Sequence, residues 1–298
     1  MADDESLRYG SLPVRVVASR ILNYLKYSPD FIESILHEID ANNFHPEIGY
    51  DNGKKRIGTI AEIDDFGNGF EIRISEPYLA FLWCLSHTLV FIYYNRNIKE
   101  STEPYKRTIN LLFYGLSLFI EWSDWPQDLP NPEHPNPNDE YMDKANWIMT
   151  FAALFIFYHE YAHQYLGHVT ENHTSYEERK QDEFTADSFS VSCVLDAIKI
   201  YNPELLHTGK IAIIVGICSI LFESRELEGD DDHPDTDQRI AQIVNKIADN
   251  DQSEYWVCAI QMLHLWGLIY HKRVLESPVG ITPKEHFVWL AGELKGQY

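Results

Sequence analysis

Basic residues are scarce in this chain of 298 residues, in which 24 lysines and arginines stand against 46 aspartates and glutamates. The formal net charge at pH 7 is −22. Because so acidic a surface repels a phosphate backbone, we expect no nucleic acid among the partners. The charge suits a protein that meets a basic protein partner.

Cysteines are also few, and their positions exclude one kind of metal site. The chain has four, which are widely scattered, each in an apolar context and none in a CxxC pair: Cys84, Cys193, Cys218 and Cys258. Structural zinc sites built from cysteine use closely spaced pairs. We therefore expect buried, reduced thiols.

The sequence shows neither the features of a signal peptide nor an uninterrupted apolar stretch long enough to span a membrane. The first ten residues, MADDESLRYG, are acidic, and no apolar segment follows them, so we expect no signal peptide. The longest apolar runs are Tyr78–Tyr94, which His87 interrupts, and Ile211–Phe222. Neither supplies the roughly 18 uninterrupted apolar residues of a spanning helix, so we expect no membrane contact and a cytoplasmic location.

Apolar residues at helical spacing dominate what is present. The hydrophobic fraction is 45%, enough for a substantial core. In two other runs, Arg56–Ile63 and Phe70–Ser75, apolar and polar residues alternate along the chain. The turn signal DFGNG separates the two runs. Alternation on both sides of such a turn predicts a β-hairpin. The predicted fold class is therefore mainly α with a small β-hairpin, α+β.

A proline-rich segment divides the chain. Residues 123–140 hold five prolines and almost no aliphatic side chains, which predicts a linker. It separates an N-terminal helical region, residues 1–122 with the hairpin at 56–75, from a helical region at 141–298. The N-terminal region could be separate or part of the same fold, and the segment could be a lid over the site or a surface connector.

The motif HExxH ends a long apolar run within Trp147–His168. Positions i and i+4 lie on one face of a helix, so His159 and His163 can hold one ion with Glu160 beside them. Burying these three polar groups without a partner is costly, and a metal is the simplest partner. A catalytic zinc takes three protein ligands and a water, so we expect one Zn²⁺ per chain and a third ligand elsewhere.

A histidine soon after the motif is the first candidate for that ligand. The pattern HExxHxxGxxH would need glycine and histidine where Leu166 and Val169 stand. His168 follows His163 by five residues, which places it on another face of a continuing helix. We therefore expect His168 to be a surface or capping histidine.

A glutamate on the following helix is the second candidate. Glu183 and Asp187 are four residues apart on one face, and Ala186 is small enough for two helices to approach. Glu183 is the predicted third ligand, which leaves Asp187 to hydrogen-bond a ligand imidazole. Asp182 competes for the role, although it points about 100° away around the helix.

Three motifs in one order carry a family resemblance: HEYAH at 159–163, ExxxD at 183–187, and a His-Pro…Arg-Ile element from His233 to Ile240. Together they resemble the gluzincin metallopeptidases, especially the CAAX-prenyl-protease and HtpX-like group. The resemblance implies a zincin-like metallopeptidase core with His159, His163 and Glu183 as zinc ligands and Glu160 as general base.

The same resemblance suggests roles for the third element. It implies that His233 stabilises the oxyanion of the reaction, and that Arg239 pairs with an acid such as Asp187 for structural support. The alternative for His233 is a plain loop histidine in an acidic loop. The related enzymes have transmembrane helices, which we do not expect here.

In size and in the mid-chain position of its motif, the sequence is similar to the phage-exclusion peptidase Lit family. That family's known member is a cytosolic protease that cuts elongation factor Tu when a phage head-protein peptide is present. The resemblance therefore implies a zinc endopeptidase with a protein substrate and an activating peptide. The alternative is a non-enzymatic zinc-binding regulator or interaction module, although a purely structural zinc has no need of Glu160 as a base.

Overall fold

The computed structural model describes residues 12–27, 61–65, 70–95, 98–121, 123–134, 141–168, 175–271 and 278–296. Within these ranges the protein is mainly helical, as the sequence predicts. The helices are α1 (Arg15–Tyr27), α2 (Glu76–Tyr94), α3 (Glu103–Ser117), α4 (Met142–Tyr165), α5 (Tyr176–Tyr201), α6 (Leu206–Ser224), α7 (Thr236–Ile247), α8 (Glu254–Tyr270) and α9 (Pro283–Lys295). A short 3₁₀ turn, Pro203–Leu205, joins α5 to α6.

Two short strands precede α2 and lie against α4. Strand β1 (Ala61–Asp65) pairs antiparallel with β2 (Phe70–Ile74), in a register that sets Ala61 opposite Ile74 and Asp65 opposite Phe70. Ile72 and Ile74 are buried on one face of β2, which accounts for the alternation in its sequence. Residues 56–60 of the predicted first strand and the turn at 66–69 lie outside the described residues.

Helix α4 is the central element, because α1, α2, α5 and α6 all pack against it. Every residue from Ile148 to His159 is buried. A helix that is apolar around its whole circumference can be stable only when other elements surround it. The buried first half of α4 thus fixes the position of the HExxH residues at its end.

A glycine lets α6 approach α4 closely. A Cβ at Gly216 would lie 2.8 Å from Phe155 Cδ1 and 3.2 Å from the Ala152 carbonyl oxygen. Any larger side chain at Gly216 would push the two helices apart. This contact matters for the site because α6 ends at Ser224, beside the last turns of α4.

Described residues on both sides of the proline-rich segment, from Leu12 to Leu294, belong to one hydrophobic cluster. Trp125 packs edge-on against Trp83 with ring centres 5.6 Å apart, and its indole donates to the Pro130 carbonyl oxygen at 3.0 Å. Glu133 forms an ion pair with Arg15. Residues 123–134 therefore pack on the N-terminal helices; residues 135–140 of the segment lie outside the described part.

Two segments are long and apolar enough to cross a membrane by length and composition alone, Glu76–Tyr94 and Pro203–Ser224. This differs from the sequence expectation, which counted His87 as an interruption. Both are mostly buried among the other helices. Because core helices pass the same test, the result does not by itself indicate a membrane span.

Candidate metal centre

The HExxH residues occupy the last two turns of α4, and α5 supplies the residues that face them. A capping box fixes where α5 begins: the Ser175 hydroxyl accepts from the Glu178 amide at 3.3 Å, and the Glu178 carboxylate accepts from the Ser175 amide at 3.2 Å. Two turns later, Glu183 is buried against α4. The small Ala186 side chain is fully buried on the same helix.

Three donor atoms converge at this point. His159 Nε2 and His163 Nε2 lie 3.2 Å apart. Glu183 Oε2 lies 3.4 Å from His159 Nε2, and Glu183 Oε1 lies 3.3 Å from His163 Nε2. One ligand atom from each of these residues falls within 4.8 Å of the other two. The structure thus brings together the three residues that the sequence predicts as ligands.

Asp187 fixes the orientation of the first imidazole. Its Oδ1 lies 3.0 Å from His159 Nδ1, and its side chain is fully buried. When Nδ1 beside this carboxylate carries the proton of a neutral ring, Nε2 keeps the lone pair that a metal ligand needs. Carboxylates commonly orient metal-ligating histidines in this way.

Arg239, on α7, ties the carboxylates of α5 together. Its Nε and Nη2 each lie 2.8 Å from one oxygen of Asp187, and its Nη1 lies 2.9 Å from Glu183 Oε2. The side chain is only 5% exposed. Nearby, the Gln242 amide donates to the Phe184 carbonyl oxygen at 3.0 Å, which anchors α7 along α5.

The pKa shifts show a site that attracts positive charge. Burial alone would lower the pKa of His159, but the Glu183 and Asp187 carboxylates outweigh it and raise that pKa to about 10. Burial would raise the pKa values of the two carboxyls, but Arg239 and His159 hold both below their ordinary range. A positive charge at this point is therefore stabilised in the folded protein.

The donor chemistry fits a zinc ion. Two imidazole nitrogens that face each other can share only a single proton, whereas one divalent cation accepts a lone pair from each nitrogen and from the carboxylate. Two histidines and one glutamate are a ligand set of catalytic zinc sites, which keep a further position for water. These residues also match the preference of Zn²⁺ for imidazole nitrogen.

Glu160 lies beside the centre in an open cleft of about 600 Å³. It is partly exposed there and is not one of the converging donors. Burial raises the pKa of its carboxyl, while His159 and His163 offset part of that effect. A carboxylate with a raised pKa is suited to accept and release a proton near neutral pH.

The cleft is strongly acidic. Its walls carry six carboxylates: Glu160, Glu183, Glu223, Glu226, Glu228 and Asp230. The lining also includes Arg239, which is already paired with Asp187 and Glu183. The negative charge of such a cleft favours positively charged groups near the centre.

His233 lines the same cleft, on the loop before α7. Asp230 Oδ1 accepts from the His233 amide at 2.7 Å and lies 3.0 Å from its Nδ1. The loop is tight, since a Cβ at Gly229 would lie 2.2 Å from the His233 carbonyl oxygen. With Nδ1 held by Asp230, Nε2 is the ring nitrogen that could donate to a substrate oxygen.

His168 differs from its expected role. Its side chain is only 10% exposed, and its Nδ1 lies 3.2 Å from Nδ1 of the candidate ligand His163. The other ring nitrogen, Nε2, lies 3.4 Å from Asp182 Oδ1. Asp182, the competing ligand candidate, is not among the three converging donors and contacts His168 instead.

The signal that could have revealed this contact is Gly167, which has φ +75°. A glycine in the left-handed conformation ends a helix and reverses the chain. The His168 amide accordingly donates to the His163 carbonyl oxygen at 2.8 Å. The rule of helical faces, which placed His168 away from His163, does not apply beyond that glycine.

The fold and site define a mainly helical protein with a His–His–Glu centre in an acidic cleft. A family model described as Peptidase U49 matches residues 72–259, more than half of the chain. The chain therefore belongs to this family and is a peptidase. The matched stretch runs from β2 into α8 and includes every residue of the centre. No curated protein and no solved structure matches the chain.

Proposed function

We propose that this peptidase is a zinc-dependent endopeptidase with a zincin-like core, which hydrolyses a peptide bond in a cytoplasmic protein. The observation that supports it most is the convergence of His159, His163 and Glu183 beside Glu160, in an open acidic cleft. One Zn²⁺ per chain fits this donor set.

In the proposed reaction, each residue has one task. When bound, zinc lowers the pKa of a water molecule toward about 7 and polarises the scissile carbonyl. Glu160 takes the proton of the attacking water and passes it to the leaving amine. His233 Nε2 donates to the oxyanion that forms on the substrate carbonyl. Asp187 and Arg239 hold His159 and Glu183 in position.

Glu160 favours an enzyme over a non-enzymatic zinc-binding regulator. A structural zinc site is closed by four protein ligands, whereas three donors converge here among the described residues and the centre opens into a cleft. A carboxylate that lies at such a centre without being a ligand serves proton transfer. A regulator would gain nothing from this arrangement.

The proposed substrate class comes from the resemblance to the Lit family, and membership in a peptidase family is consistent with it. Elongation factor Tu is the candidate substrate, and a phage-derived peptide is the candidate trigger, which gives the protein a role in phage exclusion. The net charge of −22 suits partners with basic surfaces and not nucleic acid.

The proposal is tested by comparing wild type with Glu160→Gln in cells. Both proteins are expressed to equal levels, with and without phage infection, and the new N-terminal peptides of the proteome are identified by mass spectrometry. We expect a small set of new N-termini with wild type only, elongation factor Tu among their sources. Identical sets from both proteins would contradict a Glu160-dependent peptidase, and a different source protein would replace the proposed substrate.

A further inference from the structure

The two ligand histidines are both contacted at the nitrogen that faces away from the centre. His159 meets the Asp187 carboxylate directly, at 3.0 Å. His163 Nδ1 instead meets another imidazole, that of His168, at 3.2 Å. His168 in turn lies 3.4 Å from the carboxylate of Asp182. Each ligand imidazole is therefore linked to an aspartate of α5, one directly and one through a histidine.

One placement of protons is consistent with these three contacts and keeps the rings of His163 and His168 neutral. The Asp182 carboxylate favours a proton on His168 Nε2, the ring nitrogen that lies 3.4 Å from it. His168 Nδ1 is then a lone pair, which accepts the proton on His163 Nδ1. His163 Nε2 is left with its lone pair directed at Glu183 and the centre. This is the tautomer that a metal ligand needs.

We propose that His168 and Asp182 are positioning residues that hold His163 in its metal-binding tautomer and orientation. This inference rests on the proposed metal site, but its first consequence, the tautomer, concerns the metal-free protein alone. In this proposal, His168 and Asp182 orient the imidazole of His163 as Asp187 orients the imidazole of His159.

The backbone lets the side chain of His168 be changed without disturbing the turn. The Gly167 amide donates to the Gln164 carbonyl oxygen at 3.1 Å, and the His168 amide donates to the His163 carbonyl oxygen at 2.8 Å. These two bonds form the end motif of a helix with a left-handed glycine. Neither involves the imidazole of His168, so the side chain can be replaced while the chain reversal remains.

A merely structural role would have His168 pack against His163, since their ring centres are 5.2 Å apart at an edge-on angle. His168→Phe keeps that ring packing and removes both nitrogens. His168→Asn keeps an oxygen that can accept from His163 Nδ1 and serves as the conservative rescue. Asp182→Asn removes only the negative charge at the end of the chain of contacts.

Matched controls exist elsewhere in the protein. Asp196→Asn changes another acid of α5, one that pairs with Lys199 at the exposed surface. His207→Phe changes a half-exposed histidine that lies beside Tyr255 and Glu254. Neither position lines the cleft.

The test measures two properties of the full chain. The first is the tautomer of His163 in metal-free protein, read from ¹⁵N-histidine NMR at mildly alkaline pH. The second is Zn²⁺ affinity by chelator competition, with the visible spectrum of the Co²⁺-loaded protein beside it. We expect His168→Phe and Asp182→Asn to lose the fixed Nδ1–H tautomer, to bind Zn²⁺ about 10–100-fold more weakly, and to shift the Co²⁺ spectrum.

The outcomes separate the two proposals. His168→Asn should recover much of the affinity, and both controls should match wild type. Unchanged tautomer and Zn²⁺ affinity in His168→Phe and Asp182→Asn would overturn the positioning role and leave the metal site standing. A wild-type protein that holds the Nδ1–H tautomer but binds neither ion would overturn the proposed zinc dependence, while the tautomer result would still support the role of the pair.

Discussion

Arg239 and Asp187, 52 residues apart in the chain, form a two-point ion pair in the core, with Nε and Nη2 each 2.8 Å from one carboxylate oxygen. The same guanidinium reaches Glu183 at 2.9 Å, and the same carboxylate reaches His159 at 3.0 Å. One buried cation on α7 therefore steadies a proposed ligand on α5 and, through Asp187, a proposed ligand on α4. The centre depends on the packing of three helices rather than on HExxH alone.

Replacing Arg239 should damage both stability and metal binding. Arg239→Met leaves two buried carboxylates without their counter-charge, which costs about 3–5 kcal/mol of the free energy of unfolding. Urea denaturation measures this loss. The control is Lys246→Met on the exposed edge of α7, where Nζ donates to the Ser188 carbonyl oxygen at 2.6 Å; it should cost under about 1 kcal/mol. Equal losses in the two variants would contradict the assigned role.

Glu160→Gln should separate metal binding from turnover. The amide keeps the size of the side chain but cannot accept the proton of the attacking water, so kcat should fall about 10²–10⁴-fold. Metal analysis should still find one zinc per chain. The matched control is Glu177→Gln, an exposed acid in the first turn of α5, which should keep full activity. Full activity of the Glu160 variant on an identified substrate would show that another group is the base.

Metal removal should loosen the junction of α4, α5 and α7. Zinc at about a thousand times its dissociation constant stabilises the folded protein by roughly 4 kcal/mol. Thermal unfolding should therefore shift to lower temperature when a chelator strips the metal, and adding zinc back should restore it. His163→Ala should contain no zinc and show no such shift, whereas His207→Ala should behave as wild type. Full zinc occupancy in His163→Ala would remove His163 from the ligand set.

His233→Ala tests the loop that precedes α7. If Nε2 donates to the oxyanion, its loss should lower kcat about 10²–10³-fold and leave zinc content and KM nearly unchanged. Asp230→Asn should have a smaller effect, since the amide keeps an oxygen that can accept from the His233 amide and weakens the contact at Nδ1 without removing the ring. His134→Ala, an exposed histidine of the proline-rich segment, is the control. Wild-type kcat in the His233 variant would support the alternative of a plain loop histidine.

The centre was largely predictable from local sequence because helical periodicity is a local property. His159 with His163, and Glu183 with Asp187, are pairs four residues apart, and the structure places each pair on one face of its helix. The mainly helical fold follows from the same periodicity. The meeting of Arg239 with Asp187 needed the family resemblance as well, because a contact across 52 residues has no periodic signal.

The parts that local reasoning missed begin where regular structure ends. His168 was placed by the geometry of a continuing helix, but Gly167 reverses the chain and returns the imidazole to His163. The sequence pattern presents Asp182 only as a competing ligand, since its contact is with His168, whose side chain helical periodicity places on another face. Both errors come from tertiary contacts at a helix end, which periodicity does not describe.

The close approach of α6 to α4 gives a last prediction, on stability. Gly216→Ala places a methyl group 2.8 Å from Phe155 Cδ1 and 3.2 Å from a carbonyl oxygen of α4, so it should cost about 1–3 kcal/mol of the free energy of unfolding. Gly292→Ala is the matched control in α9, where a Cβ meets nothing within 4 Å and the residue is exposed. Alanine should stabilise that helix by up to about 1 kcal/mol. Opposite signs in urea denaturation would establish close packing at Gly216, whereas a stabilised Gly216→Ala would show that α6 and α4 have room between them.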